Sequence, residues 1–219
     1  MPRLPRQPND RSVAARRGTI AGSMGIAVVV AIGVAIRVFI DNQPTALDQW
    51  LHDLLAAHRT TVADTLAQVL NVVGGTAVMT LITVAAVVLL ALRQRWQEGL
   101  VVGATVAAAS AADTLLKLAL ARPRPADATI DVTGYSFPSG HVTTAAAMSV
   151  AVAIIFPRLW TWVIASVWIA GMAASRMYLL VHWMTDAVAG AALGASVAVL
   201  VWAIFAATWQ KQSAPRLGK

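Results

Sequence analysis

The chain contains no cysteine, which excludes a thiolate nucleophile, a thiolate metal site and any disulfide framework. Charge is scarce as well: only 12% of the 219 residues are Asp, Glu, Lys or Arg, about half of what a soluble domain carries, whereas 58% are hydrophobic. Such a chain reads as an integral membrane protein with several spans of about 20 residues and no room for a sizeable soluble domain. Acidic residues are the scarcest charges, 10 against 17 basic ones. The excess does not read as nucleic-acid binding, because it sits at the ends: Arg3, Arg6, Arg11, Arg16 and Arg17 at one, Lys211, Arg216 and Lys219 at the other. That pattern predicts cytoplasmic tails facing anionic lipid. No carboxylate-rich set has metal-ligand spacing, and no internal repeat or low-complexity segment is present.

What is present alternates between apolar runs and polar turns. Residues 1–17 read as a basic, disordered cytoplasmic tail, 18–209 as the folded domain, and 210–219 as a second basic cytoplasmic tail. The expected spans are about Gly18–Ile40, Thr76–Leu92, Leu100–Ala121, Val142–Phe156, Leu159–Ala174 and His182–Trp209. The first is too long for a signal-peptide core and reads as a retained anchor. Arg37 near its end and Asp41 four residues on predict an interfacial ion pair. Residues 42–74 are too polar to span; apolar positions at helical spacing predict an amphipathic helix or helical pair on the membrane face, and His52 and His58 there have no ligand cluster beside them. The fold class is thus all-α, a polytopic bundle of about six transmembrane helices plus an interfacial amphipathic segment.

Three groups stand where apolar runs meet turns. Lys117 and Asp113, spaced i, i+4, lie inside the third span, which ends in Arg122-Pro123-Arg124-Pro125. Pro138-Ser139-Gly140-His141 leads from a loop into the fourth span: Ser139 is a good N-cap, Gly140 admits a ligand to the backbone, and free amides at a helix start attract anions. Ser175-Arg176 closes the fifth span, and His182 precedes Asp186 by one helical turn. Intramembrane charges mark sites or pathways, although Asp113 reads equally well as the ion-pair partner of Lys117. Gly190 and Gly194 read as a packing face. With both tails and Arg93/Arg95 on the cytoplasmic side, six spans put all three groups on the extracytoplasmic face.

Lys117-x6-Arg124-Pro125, Pro138-Ser139-Gly140-His141 and Ser175-Arg176-x5-His182-x3-Asp186, complete and in order, resemble the motifs of the type 2 phosphatidic acid phosphatase family. These membrane lipid phosphatases share a site with vanadium haloperoxidases, and the resemblance covers about residues 45–205. It implies His182 as nucleophile forming a phosphohistidine, Asp186 as its orienting carboxylate, and His141 as general acid and then base. It also implies Lys117, Arg124, Arg176, Ser139 and the Gly140 amide as the phosphate clamp, with no metal or other cofactor. Arg122 falls outside the motif and reads as a rim residue. The implied substrate is a lipid phosphomonoester or diphosphate of the phosphatidate, phosphatidylglycerophosphate or polyprenyl diphosphate type; the sequence does not choose among them or give an oligomeric state. Two other readings remain, a catalytically inactive lipid-phosphate binding or transport protein and a vanadium haloperoxidase. The second sits poorly with six spans, because those relatives are larger and soluble.

Overall fold

The computed structural model describes residues 8–213, with side chains for 12–209. These residues form eight helices: α1 (Pro8–Phe39), α2 (Ala46–Ala57), α3 (Thr61–Val73), α4 (Thr76–Leu92), α5 (Trp96–Leu120), α6 (Gly140–Ile155), α7 (Leu159–Tyr178) and α8 (Met184–Ser213). The all-helical membrane fold expected from the sequence is the one observed. Residues 1–7 and 214–219 of the expected tails lie outside the described residues. Residues 8–17, expected as disordered tail, instead continue α1: the Val-Ala-Ala-Arg-Arg run favours helix, and Ala15 is buried.

By length and composition α1, α5 and α8 can each cross a membrane alone, and α3 with α4 forms a pair bent by 53° that passes the same test together. The remaining expected spans are α6 and α7, of 16 and 20 residues. At about 1.5 Å per residue α6 is shorter than a ~30 Å hydrocarbon core. It is the central helix, with Val142, Ala145, Ala146, Ala147 and Ala151 fully buried. Small residues let its neighbours come close: a Cβ on Gly190 of α8 would lie 2.7 Å from the Ser139 carbonyl, and Gly194 lies against Thr143 and Ala147, so this glycine face serves packing.

Antiparallel packing sets the two ends of the bundle. Along α1, Gly18 meets Ala203, Gly22 meets Leu200, Gly25 meets Ser196 and Gly33 meets Leu120 and Phe137. The start of α1 therefore lies beside the end of α8, at the same end as Arg93 and Arg95, which precede α5. The end of α5, the start of α6, the end of α7 and the start of α8 gather at the other end. There, Asn42 donates to the Leu120 carbonyl (3.0 Å) and Arg37 to the Ala119 carbonyl, satisfying the last turn of α5. The expected Arg37–Asp41 pair does not form. The helix stops at Phe39, Asp41 takes a positive φ of 49°, and Arg37 reaches across to α5.

Residues 42–74, expected as an amphipathic helix or helical pair, form two helices, α2 and α3. Thr45 and Asp48 cap α2 reciprocally: the Asp48 amide donates to Thr45 Oγ1 (3.1 Å) and the Thr45 amide to Asp48 Oδ2 (3.0 Å). Leu47, Trp50 and Leu54 are exposed, as are Val62, Leu66 and Val69 on α3. Exposed apolar faces of this kind are what the expected interfacial segment would present to lipid.

Candidate active site

A cavity of about 510 Å³ opens where the ends of α5, α6 and α7 meet, lined by Lys117, Arg124, Gly140, His141, Arg176 and His182 from all three sequence groups. Local sequence explains how each is presented. Helix α5 is capped by Ala121, which takes a left-handed φ of 51°, and Pro123 and Pro125 keep the following residues extended. Arg122 and Arg124, two residues apart, then face different surroundings.

Arg124 is partly exposed on the cavity wall. Its guanidinium donates to the carbonyls of Gly134 (3.1 Å) and Val181 (2.8 Å), and Nη1 lies 3.0 Å from His182 Nε2. An arginine N–H can only donate, so His182 Nε2 is the acceptor and carries a lone pair. The neutral ring then bears its proton on Nδ1, the nitrogen that faces Asp186 Oδ2 at 3.6 Å. Burial pushes the His182 imidazole down to about 4, with the arginines Arg124 and Arg176 adding to the shift and Asp186 opposing it. A ring that is neutral at neutral pH follows.

Lys117 Nζ donates to both oxygens of Asp113 (2.6 and 2.7 Å) and to the Pro138 carbonyl (2.6 Å). The two readings of Asp113 thus coincide, since it pairs with Lys117 and also lines the cavity. Gly140 lies close beside them: a Cβ there would stand 3.1 Å from Asp113 Oδ2 and 3.4 Å from Lys117 Nζ. Ser139 occupies the N-cap position of α6 as expected, yet its hydroxyl caps nothing; Oγ is buried without a partner, as is Nε of Arg176. Buried polar atoms left unpaired are costly, and here two of them belong to expected clamp residues. His141 Nε2 donates to the Asn71 carbonyl (3.2 Å), while the Asn71 side-chain oxygen accepts from Arg176.

Asp186 does not line the cavity; it stands behind His182. Its Oδ1 accepts from Arg122 Nη1 (2.7 Å) and its Oδ2 from the Trp183 amide (2.9 Å). Arg122 is the main correction to the sequence reading: no rim residue, it is 0% exposed and spans two carboxylates, Asp186 and Asp48. Asp48, Asn71 and Thr185 also escaped the sequence reading. The one available signal was the Thr45-x-x-Asp48 capping box, which places Asp48 without disclosing its second partner. His52 pairs with Asp127 (3.0 Å) and His58 with the Leu54 carbonyl (2.8 Å). Among the described residues no group of three His, Asp or Glu side chains could hold a metal ion.

Comparison with known proteins places the chain in a family. Residues 98–210 match the PAP2 superfamily. The chain is 42% identical over 85 residues to phosphatidylglycerophosphatase B of Escherichia coli, covering 36% of this chain and 30% of that protein. It is 36% identical over 117 residues to the decaprenylphosphoryl-5-phosphoribose phosphatase of Mycobacterium tuberculosis, covering 51% of this chain and 64% of the relative. These matches thus span less than two thirds of the relatives' length. The fold is that of the transmembrane PAP2-type phosphatidylglycerolphosphate phosphatase of Bacillus subtilis, with a TM-score of 0.73 over 90% of this chain and 98% of that one at 20% identity.

Proposed function

Starting from the chain's membership of the PAP2 superfamily, we propose that it is an integral membrane lipid phosphatase acting through a phosphohistidine on His182. The observation that carries this reading is the ring of His182, whose Nε2 lone pair sits beside Arg124 on the cavity wall while Nδ1 faces Asp186. The Nε2 lone pair attacks phosphorus, the ester P–O bond breaks, and the departing oxygen takes a proton from His141. Water then gives a proton back to His141 and attacks the phosphohistidine; the P–N bond breaks, and inorganic phosphate leaves.

Lys117, Arg124 and Arg176 hold the non-bridging oxygens, with Ser139 Oγ and the Gly140 amide donating to them. Fixed donors that wait for charge building up in the transition state contribute most of the acceleration in such a site. Asp186 holds the imidazole with Nδ1–H inward and stabilises the positive ring of the phosphohistidine. Asn71 sets His141 and Arg176 against each other. No step requires a metal ion.

The substrate is a phosphate ester or diphosphate on a lipid. The cavity exceeds a bare phosphate, and Ser110, Thr114 and Thr144 on its wall suit a hydroxylated headgroup, as in the two phosphatase relatives named above. The test is phosphate release by the purified protein from phosphatidate, phosphatidylglycerophosphate, a polyprenyl diphosphate and a polyprenyl-linked pentose phosphate. At least one should be hydrolysed with chelator present, and vanadate, which adopts the five-coordinate geometry of the transferring group, should inhibit. Release from none would leave a lipid-phosphate binding protein, and a magnesium requirement after chelation would overturn the metal-free mechanism.

A further inference from the structure

Behind His182 lies a dry ionic cluster that none of the three motifs contains in full. Arg122, Asp48 and Asp186 have side chains at 0% exposure. The Arg122 fork divides between them: Nη1 donates to Asp186 Oδ1 (2.7 Å), Nη2 to Asp48 Oδ2 (2.9 Å). Thr185 ties the same groups, accepting from Arg122 Nη1 (2.7 Å) and donating its hydroxyl to Asp48 Oδ2 (2.8 Å). Its amide, in the first turn of α8, donates to Asp48 Oδ1 (2.8 Å), so Asp48 supplies a carboxylate to the positive end of that helix. Burial alone would raise the Asp48 carboxyl, but the hydrogen bonds from Thr185, Arg122 and Thr45 outweigh it and hold it below the usual range.

We infer that Asp48 and Arg122 are positioning residues of the reaction: they lock the Asp186 carboxylate behind His182 and leave it its negative charge. This rests on the phosphohistidine reading for its purpose, though not for its test. Arg122 on one oxygen and the Trp183 amide on the other hold Asp186 with Oδ2 3.6 Å from Nδ1. Without Asp48, the whole cation would belong to Asp186 and would cancel the charge His182 needs as it becomes a cationic phosphohistidine. With Asp48, the three groups carry one net negative charge. Stability alone gives a weak reason for such a cluster, because apolar residues of equal volume can replace a buried ion pair without loss.

The other charged groups around His182 are unchanged in the variants that test this. They are Arg124 from the loop before α6, His141 from α6 and Arg176 from α7, with the Lys117–Asp113 pair of α5 across the cavity. His52 of α2 and Asp48 share a small cleft with His182.

The experiment follows His182 directly, by nitrogen NMR titration of the histidine-labelled full chain in detergent, with His182→Gln assigning the signal. Removing a negative charge makes the ring less basic and removing a positive one makes it more so. Asp48→Asn should therefore lower the His182 midpoint, and Arg122→Gln should raise it, each by about half a pH unit or more. The double variant should return towards wild type. In turnover, Asp48→Asn should lower kcat several-fold with KM held, since the cluster touches no substrate. Equal midpoints in wild type and Asp48→Asn, or shifts of one sign in both single variants, would overturn the inference. If Arg122→Gln does not fold, Asp48→Asn decides alone. Absence of phosphate release by wild type would sink the proposed function while the titration still judged the cluster.

Discussion

Arg122 and Arg124 are separated by one proline and serve opposite faces of the same histidine. Arg124 stands at the front, partly exposed, its guanidinium held by carbonyls and by the His182 ring. Arg122 stands at the back, wholly buried between carboxylates delivered from α2 and α8. In front, the Arg124 charge meets only carbonyls and the imidazole; behind, the Arg122 charge is neutralised in place. Residue type therefore says little about an arginine's task in such a fold. What decides is whether the chain brings it a carboxylate, and Asp48 comes from 74 residues away.

The contrast is sharpened most by the histidine between the two faces. His182→Ala should abolish phosphate release, a loss of about four orders of magnitude or more, whereas Asp186→Asn should leave measurable residual activity because it orients the ring without bonding to phosphorus. Near-normal turnover by His182→Ala would end the phosphohistidine mechanism. The front and back arginines should then separate by assay. Arg124→Ala and Arg176→Ala should each lower kcat/KM by about 10²–10³, as when a transition-state donor is lost. Arg122→Ala should instead show first in unfolding, at about 3–5 kcal/mol, because it strands two buried carboxylates. Equal stability losses in Arg122→Ala and Arg124→Ala would erase the distinction between the faces.

How far the sequence discloses this arrangement depends on the range of the interaction. Helix α4 runs over the residues expected from hydropathy, Thr76–Leu92, and the three groups that meet at the cavity are legible because each is a short local pattern at a helix end. The start of α1 is not legible, because an apolar window cannot see a helix continuing into polar sequence. The back of the site is hidden for another reason. Asp48 looks like one polar position among several on an amphipathic segment, and Asn71 like another, until the fold turns them inward onto Arg122 and Arg176. Arg122 was misplaced for the same reason, since an arginine at a membrane boundary ordinarily snorkels to solvent.

A smaller effect separates the dry back from the wet front by pH. The folded His182 midpoint of about 4 lies below its ordinary value near 6.5. Between these values the unfolded chain binds the proton more readily, so this group's contribution to stability is full above about 6.5 and is lost as pH falls towards 4. In detergent, His182→Gln should flatten the decline of the unfolding midpoint across that window. An unchanged slope would mean that the ring is not held neutral by burial.

The last prediction changes no rate and concerns which side of the membrane the front faces. The start of α1 and the end of α8 share one end of the bundle with Arg93 and Arg95, and the cavity lies at the other. Basic flanks favour the cytoplasm, so the cavity is expected to face away from it, despite the cations lining the cavity, to which the proposed mechanism gives a use there. A chain without cysteine allows single replacements to report this cleanly. Ser136, on the loop before α6, is a poor reporter, because it is buried, its amide donating to the Arg122 carbonyl and its hydroxyl to that of Pro123. The neighbouring Tyr135 is 40% exposed and free of that constraint. In intact cells Tyr135→Cys should react with a membrane-impermeant maleimide, whereas Arg93→Cys should react only after permeabilisation. The reverse pattern would put the cavity in the cytoplasm and require a cytoplasmic-leaflet substrate, while leaving the division between the two faces of His182 intact.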